Sequence, residues 1–236
     1  MPNWCSTQYR FHGDNEELEK FYAFVMHAID ENREDNKRSD FKSAWLGNIL
    51  FDIGEDRETV LHATDDEYRC RGWITDYDID VCEDPVKSTV SICTETAWDA
   101  MPDMWDLTLR KLGLNTIKYS FIAEEEGGGY FIKCNAPGYN DFLEEVSIDA
   151  WCDSNDIPEK ELIEIENLRD YCSKEEAVKT LNEFFGTEGK SFEELQELID
   201  KYNEEYSGED YRQIRVNEYE EYALMNGVRV RIFHSR

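Results

Sequence analysis

The stretch Asn3-Trp4-Cys5-Ser6-Thr7-Gln8-Tyr9-Arg10-Phe11-His12-Gly13-Asp14 decides how the chain begins to fold. Cys5, Thr7, Tyr9 and Phe11 fall on one side of an alternating pattern, and Trp4, Ser6, Gln8 and Arg10 on the other. A period of two predicts a strand from Asn3 to His12 that ends at Gly13. Asp14 then stands as the cap of a helix from Asn15 to about Asn32. There Leu18, Phe21, Tyr22, Val25, Met26 and Ile29 recur at helical spacing, and Glu17 completes a capping-box pattern.

Working outward, Asp40 to Ile53 carries Phe41, Trp45, Leu46, Ile49 and Leu50 at helical spacing and stops at Gly54, which predicts a second helix. Tyr68 to Val81 and Ser88 to Trp98 read as two strands joined through Glu83-Asp84-Pro85. Pro102 to Leu112 reads as a helix with proline in its first turn and Gly113 after its end. Thr116 to Ala123 and Tyr130 to Cys134 read as strands around an acidic, glycine-rich turn. The order β-α-(α)-β-β-α-β is that of the ferredoxin-like split βαβ motif with an inserted helix, an α+β class with an antiparallel sheet.

From Asn135 the texture changes, which divides the chain into residues 1–135 and an acidic α+β region, residues 136–236, packed on or beside it. Asp141 to Trp151 is compatible with one strand, and Pro158 to about Leu168 has no assigned type. Ser173-x-x-Glu176 and Ser191-x-x-Glu194 are capping boxes that open helices ending at Gly186 and Gly208. Arg212 to Tyr222 and Val228 to Phe233 read as strands, with Asn226-Gly227 as a turn between them.

Three motifs carry a family resemblance: Pro2-Asn3-Trp4-Cys5 opening the first strand, Thr94 to Pro102 (T-E-T-A-W-x-x-M-P), and Glu125-Glu126-Gly127-x-Gly129. Over about residues 2–134 they resemble the YubB ferredoxin-like domain family of conjugative plasmids, phages and the bacteria carrying them. The resemblance implies a ferredoxin-like fold and a mobile-element setting. It implies no activity, because one fold hosts many functions. In such a fold the strand order 4-1-3-2 brings the three motifs to one end of the sheet. Trp4, Cys5, Thr94, Glu95, Thr96, Trp98, Glu125, Glu126, Gly127 and Gly129 are therefore a candidate ligand or partner site. The competing reading is structural: tryptophans closing the core, a carboxylate capping backbone and glycines permitting a hairpin.

The chain of 236 residues carries net charge −29, with 54 acidic and 25 basic side chains. That balance argues against binding nucleic acid directly and toward a protein partner with a basic surface. No apolar run approaches the roughly 20 residues of a membrane span. With no secretory leader read and seven cysteines lacking any C-x-x-C pair, the expected setting is cytoplasmic, with free thiols.

Catalytic and metal motifs are weak, and neither a metal nor a cofactor is expected. Cys5 lies on the apolar side of its strand with no histidine indicated nearby. The four histidines, at 12, 27, 62 and 234, lack ligand spacing and read as surface or core packing. Asp76, Asp78 and Asp80 begin like a calcium loop, but Val81 and Lys87 occupy the positions that need glycine and glutamate, so they read as one solvated strand face.

A non-enzymatic protein-binding factor of a mobile element or its bacterial host is the leading expectation. In one form it is an acidic nucleic-acid mimic inhibiting a host DNA-binding or defence protein. A compact chain of this mass exposes on the order of 11,000 Å², or about one net charge per 380 Å². B-DNA, treated as a cylinder about 20 Å wide, carries one per ~107 Å². Mimicry thus needs concentration on one face, and the candidates are Asp149, Asp153, Asp156, Glu193, Glu194, Glu197, Asp200, Glu204 and Glu205. The alternative is a small-molecule or peptide sensor, or an enzyme, using Trp4, Glu95, Trp98 and Glu126.

Overall fold

In the computed structural model, residues 3–32, 43–55, 60, 70–82, 87–125, 127, 129–153, 158–207, 211–225 and 228–231 are described. The chain is a mixed α+β protein of two compact units, residues 1–142 with 221–236, and residues 143–220. Residues 136–142 and the C-terminal sixteen therefore group with the first unit. None of the described helices is long and apolar enough to cross a membrane.

The first unit is built on β1 (Trp4–His12), α1 (Asn15–Ala28), α2 (Gly47–Asp52), β2 (Gly72–Asp80), β3 (Thr89–Ala97), α3 (Pro102–Leu112), β4 (Lys118–Glu125) and β5 (Tyr130–Asn135). After the second unit's β6 (Val146–Asp153), β7 (Asp170–Cys172) and β8 (Tyr211–Glu218) come β9 (Glu220–Met225) and β10 (Val228–Arg231). The large sheet has the order β10-β9-β5-β4-β1-β3-β2. β1 pairs antiparallel with β3 and β4, β2 with β3, and β4 with β5. The alternation read from the sequence sets the faces: Cys5, Thr7, Tyr9 and Phe11 are buried, whereas Trp4 and Ser6 are exposed.

The buried face of β1 packs against α1 and α3 through rings. Trp105 meets Tyr9 at 5.7 Å and Phe11 at 5.3 Å, both edge to face, and Phe21 lies 4.6 Å from Phe11. Edge-to-face pairing adds about 0.5–1.5 kcal/mol per pair beyond the area buried. Opposite the core, the segment after β5 folds over the outer side of the sheet. Asp141 accepts from Ser120 Oγ and pairs with His12 Nε2 at 2.8 Å, and Tyr139 stacks on the His12 ring at 3.8 Å.

Several expectations change. α1 stops at Ala28, four residues short of Asn32, and its capping box does not form. Asp14 makes no side-chain cap, and Glu17 Oε2 instead accepts from the Thr116 N–H at 2.9 Å and hydroxyl at 2.8 Å, since a partner far along the chain competes for the same carboxylate. The second helix shrinks to Gly47–Asp52, because Trp45 is spent bridging Trp73 of β2. Asp40 and Phe41, the turn at Glu83-Asp84-Pro85 and Asn226-Gly227 lie outside the described residues. Asp141 to Glu145 is not strand: Asp141 turns toward His12 and Asn135 brackets Phe142, accepting from its N–H at 3.1 Å and donating to its carbonyl at 3.0 Å.

In the second unit, α4 (Glu159–Glu166), α5 (Lys174–Phe185) and α6 (Phe192–Glu205) cover a sheet of order β7-β6-β8. The segment after Pro158 is thus helix α4, and β7 is a strand that the sequence pattern does not mark. Both capping boxes form, with Ser173 accepting from the Glu176 N–H and Ser191 from the Glu194 N–H. Arg212 to Tyr222 is not one strand. It breaks at Tyr219, whose N–H donates to Glu145 O at 2.9 Å, so β8 joins β6 while β9 joins the large sheet.

Candidate functional site

The three motifs meet at one end of the large sheet, where strand alternation sorts them onto two faces. Trp4 is opposite Ala97 and Cys5 opposite Thr96 in the β1–β3 register. Ser6 faces Glu95 on one side and Glu124 on the other. The Trp98 N–H donates to Asn3 O at 3.0 Å, tying the end of β3 to the start of β1. A Cβ on Gly127 would lie 2.6 Å from the Asn3 side chain, so Gly127 lies against the same end, and Gly129 has φ +70°.

On the inner face, Cys5, Thr94 and Thr96 are buried, and Glu125 is only 4% exposed. Burial, reinforced by the charges of Asp99 and Glu125, pushes the Cys5 thiol up to about 11. A thiolate is therefore scarce at neutral pH and nucleophilic chemistry at Cys5 is disfavoured. Its sulfur lies 3.6 Å from Thr7 Oγ1, while Thr96 Oγ1 donates to Asp99 O. Thr94 Oγ1 is buried without a hydrogen-bond partner. Burial also raises the Tyr130 hydroxyl, next to Cys5 and Asp99, above its ordinary value.

The outer face is different. Trp4 is 46% exposed and Trp98 50% exposed. Trp4 packs edge to face on Trp73 at 5.6 Å, and the Arg71 guanidinium sits 5.5 Å over the Trp98 ring. Across this face run Trp73, Glu95, Ser6, Glu124 and Phe131, each the register partner of the next. Glu95 is exposed beside the tryptophans. Trp98 holds φ +73° and Met101 φ +50°, conformations that cost a non-glycine residue on the order of 1–3 kcal/mol. A strained residue that leaves half its ring in water is not explained by core packing. Glu126 lies outside the described residues.

The acidic candidates of the second unit are not gathered as one set. Glu193, Glu197, Asp200 and Glu204 form an exposed stripe along α6, opposite the buried Phe192, Leu195 and Ile199. Glu194 and Glu205 are exposed beside it, and Glu194 accepts from the Ser191 N–H at 2.9 Å as a cap. Asp149 is half-buried on β6, where its carboxylate accepts from Asn217 Nδ2 at 3.1 Å. Asp156 lies outside the described residues, and Asp153 is placed only as the last residue of β6.

Sequence reading missed the trio of buried His12 and Ser120 with the partly buried Asp141. The carboxylate sits between the other two, so the serine hydroxyl donates to aspartate and never reaches the imidazole. That order is unlike a nucleophilic triad, in which histidine is central. The only sequence signal was a histidine at the end of an alternating strand. Among the described residues no cluster of histidine, cysteine or carboxylate side chains could hold a metal ion. The chain matches no family model, no curated protein and no solved structure.

Proposed function

We propose that this chain is a binding protein whose partner is a protein with a basic segment, engaged at the outer end of the sheet by Trp4, Trp73, Trp98 and Glu95. The observation that carries this reading is Trp98, half exposed and held at positive φ by a bond to Asn3. Exposed indoles beside a carboxylate suit a lysine or arginine, since a cation over a tryptophan face gains about 0.5–2 kcal/mol. Arg71 already occupies that geometry over Trp98 from within the chain. The order β4-β1-β3-β2, with α1 after β1 and α3 after β3, supports the finer ferredoxin-like reading. With the three motifs it also supports a relation to the YubB domains and a mobile-element setting.

The test is titration of the full chain with lysine- and arginine-containing peptides while indole fluorescence is followed. Saturable quenching in wild type, abolished in Trp4→Ala/Trp98→Ala, is the expected result. Equal binding by the double variant sinks the reading.

Nucleic-acid mimicry is a second reading, favoured by the α6 stripe. Four carboxylates spread over twelve helical residues give one per about 4–5 Å of axis, against one per ~1.7 Å in B-DNA. A single helix is too sparse, so mimicry ranks behind the tryptophan surface.

A further inference from the structure

The large sheet ends on β2, and over Asp76–Asp80 none of the described strands pairs with its outer side. The earlier part of that edge is closed. Leu46 N–H donates to Gly72 O at 3.0 Å, Ile74 N–H donates to Ala44 O at 2.9 Å, and Trp45 bridges Trp73. A bulge between Ile74 and Asp76 then shifts the register. Beyond it the Tyr77 N–H donates at 2.9 Å to the side chain of Asp76, so this donor is met by a local carboxylate and not by a strand.

Side chains along this edge alternate by chemistry. Asp76, Asp78 and Asp80 share one face and are all exposed, while Tyr77 and Ile79 share the other, with Tyr77 42% exposed and the following Val81 39% exposed. We propose that this edge accepts one further strand from a partner: an extended segment in which Lys or Arg alternates with apolar residues. The proposal rests on the basic-partner reading above and gives it a binding mode. Main-chain hydrogen bonds to β2 supply affinity, and alternate side chains supply specificity. Basic residues fall beside Asp76, Asp78 and Asp80, and apolar ones beside Tyr77 and Ile79.

Charge selects this occupant. A second copy of β2 would set three aspartates against the same three, and directly opposed like charges destabilise a strand pair. The carboxylates and the bulge that keep the edge from pairing with itself thus favour a segment of opposite charge. Five residues of pairing, about 17 Å, is an ordinary strand length.

The experiment uses the full chain and two labelled nine-residue peptides of identical composition, one alternating Lys and Val and one with Lys and Val in separate blocks. Binding is read by anisotropy, and the Tyr77 and Ile79 amides are followed by hydrogen exchange. The alternating peptide is expected to bind about tenfold more tightly, to lose about tenfold in affinity with Asp78→Lys, and to protect those amides in the unmutated chain. Equal binding of both peptides, or unchanged exchange at Tyr77 and Ile79, overturns the proposal.

Trp4→Ala/Trp98→Ala separates this proposal from the function reading. If that variant abolishes binding while Asp78→Lys and the amides are silent, the edge proposal fails and the tryptophan surface stands. If alternation and Asp78 matter while the tryptophans do not, the edge stands and the tryptophan reading falls. If neither peptide binds, both fall.

Discussion

The two units use their acidic residues in different ways. Residues 143–220 hold 24 acidic and 8 basic side chains, whereas the remaining chain, twice as long, holds 30 and 17. In the smaller unit, Glu176 and Glu194 cap helices, each closing a box with a serine three residues earlier, while Glu161 pairs with Arg212 and Asp149 accepts from Asn217. In the larger unit carboxylates join distant parts of the chain. Glu17 holds Thr116, and Asp141 holds both His12 and Ser120. The cores differ too, with the larger unit built around Tyr9, Phe11, Phe21, Trp45 and Trp105 and the smaller around mostly aliphatic side chains with Phe192. Acidity by itself thus describes two arrangements, one of helix caps with long-range pairs on a small core and one of long-range clasps on an aromatic core.

The sharpest way to break this contrast is at the aromatic core. Trp105→Ala is expected to cost about 3–5 kcal/mol in urea denaturation. A loss under about 1 kcal/mol would show that the ring cluster is not what stabilises the larger unit.

Asp141→Asn should come next, at about 1–3 kcal/mol near pH 7, because it removes a charged acceptor from two buried donors. Bonds from His12 and Ser120 overcome the burial penalty and hold the Asp141 carboxyl below its usual 3.8. A lowered folded-state value means the stabilisation is complete above about pH 4 and is lost as pH falls through the folded value. The gap between wild type and Asp141→Asn should therefore close in denaturation curves taken progressively below pH 4. A gap independent of pH would remove the clasp from the account.

The caps predict a smaller effect, about 1 kcal/mol for each of Ser173→Ala and Ser191→Ala, measured by chemical denaturation. The two losses should be comparable, since both boxes have the same geometry. Smallest is the backbone test at the candidate site. Trp98→Gly should be more stable than Trp98→Ala by up to about 1 kcal/mol, the reverse of the usual order, because glycine tolerates φ +73°. The usual order in that pair would mean that no strain is held there.

Much of the fold and part of the site could be read from the sequence. Alternation in Trp4–His12 determined both a strand and its buried face, because the period of two is a property of the backbone. Pro102 and Gly113 marked α3 to the residue, and Ser-x-x-Glu marked the starts of α5 and α6, since each signal acts within one helical turn. The convergence of the three motifs also followed from strand order, once that order was assumed.

What only the tertiary structure decided concerns partners far apart in the chain. Nothing local in Glu17 distinguishes a cap from a clasp to Thr116, and nothing in Arg212 to Tyr222 marks Tyr219 as the point where one run is divided between two sheets. Likewise, the motif T-E-T-A-W does not announce that Thr94 and Thr96 turn inward while Glu95 and Trp98 stay in water. Composition fixed the charge and periodicity fixed the elements. Where each carboxylate and indole ended was decided by long-range strand pairing and burial, which no stretch of neighbouring residues can encode alone.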